Sequence, residues 1–360
     1  MNILLIGRNK IAIEQLSHIA DNMYLVFDKS FDCQRSQPEF DKYPILFSRS
    51  NVSTILGMLP RAKEIIGWIK QYDLDVVYTN TKWDMLAAKI ASFFCRNNVV
   101  LISTSHNSYA WQNKRSVKLM SILIQRTTDV YLSLASFVYN ALLDNGVKKE
   151  RLLLLPNTIN SEAWEQKTDY DCEGSFKIAY VAYVYPAKRQ DFLLDVLNTL
   201  SQKYSVEVDC YGDIDGYPDY VHKIKEEAQR INLSDRFHFC GRIENEQLRS
   251  RLKNYDLYFC PSDMEMSPVN ILEAQAVGLP VMASDVGGIT DVIRDGETGL
   301  LYESGNVHDA VEKLVKLIED KKLRERLGKS GREYVTSIYS PKRAGCQIRE
   351  AIIRKLNKNS

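Results

Sequence analysis

Short apolar runs and amphipathic stretches alternate along most of the chain. NILLI, MYLVF, LDVVYT, NVVLIST, DVYLSL and RLLLLP have the length and composition of β-strands, and segments 52–71 and 82–95 between them carry helix-like patterns. Strands that alternate with helices form βαβ units, and these assemble a parallel sheet with helices on its faces. A polar, turn-rich stretch, PNTINSEAWEQKTDYDCEGS, interrupts the pattern, which restarts with FKIAYVA, VEVDCYG, RFHFCG, LYFCPS and LPVMAS. The expected fold is therefore α/β, with two doubly wound, Rossmann-like domains over residues 1–165 and 166–340 facing a cleft. In the tail, 341–360, Ile348, Ile352 and Leu356 recur at helical spacing, which predicts a helix that packs back towards the first domain. In such sheets ligands bind outside the carboxyl ends of the strands. Neither half carries GxGxxG, which argues against a simple dinucleotide site.

One strand end stands out. LYFCPS runs into DMEMSPVNILEAQAVGL, where Ser267 followed by Pro268 is an N-cap and first-turn signature. A helix beginning there presents unpaired N–H groups and roughly half a positive charge, a natural seat for a phosphate. Glu265 precedes that seat and Glu273 follows it by more than a turn, so the two acids flank a phosphate and can hold hydroxyl groups on either side of it. A nucleoside diphosphate sugar has this layout, with ribose on one side and sugar on the other. The alternative is a pair of solvated helix acids.

Composition narrows the class. Across 360 residues, 45% are hydrophobic and 26% charged, an ordinary globular mixture. With 47 basic and 46 acidic residues the formal charge is +1, so no global field selects nucleic acid, and any basic site is local. The seven cysteines are odd in number and lack a CxxC pair, which argues against a disulfide framework or zinc site. His18, His222, His238 and His308 have no metal-ligand spacing. The start, MNILLIGRNK, is too short in apolar residues for a signal-peptide core, and no apolar run approaches the ~18 residues of a membrane span. A reduced, cytoplasmic protein is expected.

The stretch from Phe239 to Tyr302, with Glu265 and Glu273 in an E-x7-E pattern followed by EAQAVGLPVMAS and GGITDVI, resembles the retaining nucleotide-sugar glycosyltransferases of the GT-B fold, group 1 and family 4. Upstream, YVAYVYPAKRQDFLLDVL, CYGD, DLDVVYTNTKWDMLAAKIA, LISTSHNS and LLPNTIN fit the same resemblance. It implies hexosyl or N-acetylhexosaminyl transfer from a nucleotide sugar, expected to be UDP-linked, to a glycan or lipid-linked acceptor, with no metal. It implies that Glu273 holds the ribose, Glu265 contacts the transferred sugar, His106 faces that sugar and Lys188 neutralises the diphosphate. Met266, Ser267, Val269 and Asn270 then line the donor at the helix start. The chain departs from the family at three places. Tyr183 stands where the family carries an arginine, leaving Arg189 or Arg242 as candidate replacements; Met266 replaces a glycine; and the amino-terminal glycine pair is reduced to Gly7. Gly287 and Gly288 are supporting residues, with a tight turn as their simpler role.

Two other activities fit the pattern: a nucleotide-sugar epimerase, and a non-catalytic nucleotide-sugar-binding subunit that regulates a partner transferase. Residues 111–126 add Lys114, Arg115, Lys118 and Arg126 without an acid, interleaved with apolar residues. That pattern suits peripheral contact with an anionic membrane, at the inner face in a cytoplasmic protein, or else a core-facing helix with a solvated basic edge.

Overall fold

The computed structural model describes every residue except 8, 29–39, 41, 49–54, 96–98, 106–112 and 358–360. The first compact unit comprises Met1–Thr158 with Pro341–Ser360, and the second comprises Ile159–Ser340.

In the first unit, β1 (Asn2–Ile6), β2 (Asn22–Asp28), β3 (Ile45–Ser48), β4 (Val76–Thr79), β5 (Val100–Thr104), β6 (Val130–Ser133) and β7 (Leu152–Leu154) form one sheet in the order β3-β2-β1-β4-β5-β6-β7. Every strand pair is parallel. The crossovers carry α1 (Lys10–Ser17), α2 (Ile55–Tyr72), α3 (Lys82–Phe94), α4 (Lys114–Thr127) and α5 (Ser136–Asp144). The strands are apolar on both sides because both sheet faces are covered. Ile3, Leu5 and Leu25 face one buried cluster, and Leu4, Ile6 and Val26 face the other.

The second unit repeats the plan. Its strands β8 (Phe176–Val181), β9 (Val206–Tyr211), β10 (Phe237–Gly241), β11 (Leu257–Cys260), β12 (Val281–Ser284) and β13 (Leu300–Tyr302) lie in the order β10-β9-β8-β11-β12-β13, all parallel. Helices α6 (Gln190–Leu200), α7 (Pro218–Arg230), α8 (Asn245–Arg251), α9 (Val269–Val277), α10 (Ile289–Val292), α11 (Val307–Glu319) and α12 (Lys321–Ile338) connect and cover them. The strand order reverses between β8 and β11, so the loops leaving those two strands flank the switch point where such sheets bind ligands.

Residues 159–165, grouped with the first domain on sequence, belong to the second unit. Ile159 and Trp164 are buried in its core, and the Ile159 N–H donates to the carbonyl of Tyr339 at 2.9 Å. The last helix, α13 (Pro341–Leu356), joins the first unit. Its Ile348 and Ile352 are fully buried in the cluster that holds Ala12, Ile13 and Leu16 of α1. Burying each isoleucine favours that docking by about 1.5–3 kcal/mol. Among the described residues no helix is long and apolar enough to cross a membrane.

Candidate functional site

The candidate site is built on the two loops at the second unit's switch point. After β8 the chain passes Tyr183, makes a single 3-10 turn at Pro186–Lys188, and enters α6 through Arg189. Arg189 is left-handed, with φ 54°. That conformation costs about 1–2 kcal/mol in a residue with a Cβ. Two contacts of its guanidinium offset the cost: Nη1 to Asp263 at 3.0 Å and Nε to Asp191 at 3.2 Å. After β11 the second loop carries Ser262, Asp263 and Glu265 into α9. The loops are stitched together by the Asp263 N–H, which donates to the Ala187 carbonyl at 3.0 Å, and by Asn270 Nδ2, which donates to the Val181 carbonyl at 2.8 Å.

This stitching brings Lys188 and Glu265 into contact, with Nζ donating to Oε1. Both side chains are mostly covered, 14% and 12% exposed. Burial alone would pull the lysine's pKa down, but the charge of Glu265 and its hydrogen bond more than offset this, and the ammonium titrates above its ordinary value. Glu265 is held from three further directions. Ser262 Oγ donates to Oε1 at 2.9 Å, the Gly288 N–H donates to the Glu265 carbonyl at 2.8 Å, and Gly287 presses against that same carbonyl. Gly287 is left-handed (φ +51°), and a Cβ there would lie 2.4 Å from the Glu265 carbonyl oxygen. The glycine pair therefore has a direct job in the site.

Helix α9 begins one residue later than its sequence signature suggests. Its N-cap is Pro268, with extended ψ of 103°, which offers no side-chain cap of its own. Ser267 is thus not the N-cap residue and Pro268 is not in the first turn; both Ser267 and Met266 are buried. First-turn N–H groups have no intrahelical partner. The Ile271 N–H is taken by Asn270 Oδ1 at 2.9 Å, so Asn270 uses both ends of its amide locally, while Val269 is half-buried at the first helical position. Glu273 is half-buried in the second turn. The Tyr258 phenol is held well above its ordinary pKa, first by burial and then in part by Glu273 and Glu265, which puts both carboxylates within electrostatic reach of one buried ring.

At the ends of β8, β9 and β10 the backbones meet closely. A Cβ on Gly212 would lie 1.8 Å from the Ala182 carbonyl, and the Gly212 N–H donates to the Gly241 carbonyl at 2.8 Å. Tyr183 stands 68% exposed beside this junction. Arg242, on the next strand end, pairs with Asp213 at 2.5 Å and lies within electrostatic reach of Tyr183. Its hydrogen bond holds the Asp213 carboxyl below the usual range. Of the two candidate replacements for the arginine, Arg189 is committed to two carboxylates and Arg242 to one. His106 lies outside the described residues. Among the described residues no His, Cys, Asp and Glu side chains gather in a group of three or more that could hold a metal ion.

Two family descriptions match this chain in succession: Glycosyltransferase Family 4 over residues 29–163 and Glycosyl transferases group 1 over residues 162–334. The chain has the GT-B fold of two Rossmann-like units. An uncharacterized glycosyltransferase of Methanocaldococcus jannaschii is 30% identical over 235 residues, which is 65% of this chain and 62% of that protein. That match therefore takes in less than two thirds of the relative's length. A GDP-mannose-dependent alpha-(1-6)-phosphatidylinositol monomannoside mannosyltransferase of Mycobacterium tuberculosis is 22% identical over 75% of this chain and 73% of its own. In fold the chain is similar to HepE of Anabaena, solved in complex with UDP and glucose, with a TM-score of 0.81 at 19% identity over 98% of this chain and all of that one. The group 1 match contains Lys188, Glu265 and Glu273.

Two residues that support this candidate site were not picked from sequence. Tyr180 reads as a core residue of an apolar strand, and Ser262 reads as a strand-end turn residue. Only the three-residue spacing from Ser262 to Glu265, within side-chain hydrogen-bonding range in a turn, carried a signal.

Proposed function

We propose that the protein transfers a hexosyl or N-acetylhexosaminyl group from a UDP-linked donor to a glycan or lipid-linked acceptor, with retention of anomeric configuration. The observation that carries this reading is the meeting of Lys188, Glu265 and the start of α9 at the carboxyl ends of β8 and β11. A diphosphate seated on the first turn of α9 would meet N–H donors and the positive helix end. The Lys188 ammonium, already oriented by Glu265, has two further donors for the phosphate oxygens as the sugar–phosphate bond breaks. Fixed donors at a developing charge lower the barrier by about 2.7–4 kcal/mol each in well-built sites, which is why this arrangement needs no metal. Glu273 then binds the ribose and Glu265 the transferred sugar. In same-face displacement the acceptor oxygen bonds to the anomeric carbon on the face the phosphate leaves, and the departing phosphate oxygen takes the acceptor's proton.

A lipid-linked acceptor is favoured by α4, which exposes Leu119 (68%) and Ile122 (44%) among Lys114, Arg115, Lys118 and Arg126. Such a helix suits the anionic surface of the inner membrane face. The name of the mycobacterial mannosyltransferase points to an acceptor of the same kind. A second reading, a non-catalytic donor-binding subunit, is favoured by the neutral Tyr183 in place of a cation.

The test is to screen nucleotide sugars for thermal stabilisation of the purified chain, then assay the stabilising donors for transfer and hydrolysis, with and without excess chelator. Turnover that survives chelation supports the proposal. Stabilisation without turnover of any donor supports the binding subunit, and loss of turnover that metal restores removes the metal-free chemistry.

A further inference from the structure

Behind the Lys188–Glu265 pair lies a buried chain of hydroxyls that no step of the proposed reaction uses. Tyr180 and Ser262 are both fully buried, one on β8 and the other just beyond β11. The Tyr180 hydroxyl lies 3.0 Å from Ser262 Oγ and 3.0 Å from the Lys188 carbonyl oxygen. Ser262 Oγ in turn donates to Glu265 Oε1 at 2.9 Å. The loop is fixed at its other end by Ser284 Oγ, which donates to the Ser262 carbonyl at 2.6 Å.

The proton inventory gives this chain a direction. A carboxylate paired with an ammonium only accepts, so the single proton of Ser262 points to Glu265. The lone pairs of Ser262 then face the Tyr180 O–H and the Cys260 S–H, the latter at 3.6 Å. Burial first of all holds the Tyr180 phenol well above its ordinary value, so it stays a donor at every working pH. Tyr180 can direct its proton to Ser262 or to the Lys188 carbonyl, and both acceptors belong to the two loops that carry the charged pair. A hydroxyl buried this deeply is costly without partners, and here every partner leads to Glu265 or Lys188.

We infer that Ser262 and Tyr180 are positioning residues of the transfer reaction: their hydroxyl relay fixes the Glu265 carboxylate, and through it the Lys188 ammonium, in the geometry the donor sugar meets. The inference rests on the proposed glycosyl transfer. It assigns neither residue a contact with the substrate, so removing either hydroxyl should leave the binding of free nucleotide intact and slow the chemical step.

The test is a double-mutant cycle in the full chain. Ser262→Ala and Tyr180→Phe each remove one hydroxyl at nearly unchanged shape. In the parent background Ser262→Ala is expected to lower kcat by about 10- to 100-fold, the fold-change of a lost hydrogen bond to a charged group, and Tyr180→Phe by about 3- to 10-fold, that of a neutral one, with KM for the donor nearly constant. Calorimetry with UDP alone should give an unchanged affinity, which also reports a folded protein. In a Glu265→Gln background the same substitutions should lower kcat by less than about threefold, because the group they position is already altered. Equal losses in both backgrounds, or a KM effect in place of the kcat effect, would overturn the inference while leaving the transferase reading in place. A parent that turns over no donor would overturn both, and is distinguished by failing before any variant is compared.

Discussion

Gly287→Ala would strain the backbone and crowd the Glu265 carbonyl at once. The residue sits at φ +51°, where an alanine costs about 1–2 kcal/mol whatever space surrounds it. The new Cβ would lie 2.4 Å from the carbonyl oxygen of Glu265, and that oxygen must retreat by about 0.6 Å to reach the 3.0 Å below which real Cβ contacts are essentially not found. Forced shifts in well-packed interiors cost about 1–3 kcal/mol more. The expected total is about 2–5 kcal/mol, and for a unit of this size each kcal/mol lowers Tm by about 2–4 °C. Gly296→Ala is the control, because Gly296 has φ +72° with nothing within 4 Å, so only the backbone cost applies. The control should lose about 2–8 °C by the same scale, and Gly287→Ala clearly more. The shift also moves Glu265, the carboxylate proposed to face the sugar, and a displacement approaching 1 Å costs up to about 100-fold in rate. Differential scanning fluorimetry with steady-state kinetics measures both. Indistinguishable Tm and kcat for the two variants would refute the claim that Gly287 holds Glu265 in place.

Two further outcomes follow from the same geometry. Lys188→Met should destabilise the protein by about 1–3 kcal/mol at neutral pH, between the values for exposed and fully buried ion pairs. Because the folded-state lysine titrates above its ordinary 10.5, the pairing contributes fully below that value and is lost as the pH rises through the folded one. Urea unfolding of parent and variant should therefore differ by a constant amount from pH 7 to 9 and converge above about 10.5; a gap that widens with pH would contradict the assignment. Replacing Lys114, Arg115 and Lys118 by glutamine should weaken sedimentation with anionic vesicles by about 100-fold at low salt, at about 1 kcal/mol per residue, and unchanged binding would remove the membrane contact.

The fold was legible where burial was two-sided. Apolar runs marked eleven of the strands; β3 and β13 were not picked, both sheet-edge strands with a single buried residue. The tail helix was legible from Ile348 and Ile352 because the period of one helix face survives without knowledge of its partner. The start of α9 was misjudged by one residue, since a Ser-Pro pair suits both an N-cap with a first turn and a buried residue with a proline cap. Contacts within the site were largely hidden. Lys188 and Glu265 are 77 positions apart, and their meeting depends on strand order, which no local signal encodes. The left-handed turn at Arg189 was equally silent, because its carboxylate partner Asp263 becomes a neighbour only through that strand order. Tyr180 was concealed by its strand, where a tyrosine among apolar residues gives no hint that its hydroxyl reaches Ser262.

The central claim is that Glu273 and Glu265 serve different parts of one nucleotide-sugar donor, and calorimetric titration of Glu273→Gln and Glu265→Gln with UDP alone tests it most directly. If Glu273 holds the ribose, Glu273→Gln should bind free UDP about 10- to 100-fold more weakly, the range for a hydrogen bond to a charged group. Glu265→Gln, whose amide oxygen can still accept from Lys188, should bind it with nearly the parent's affinity and show its defect in turnover of the intact donor. Equal UDP affinities for both variants and the parent would contradict the claim and reduce the pair to ordinary helix acids.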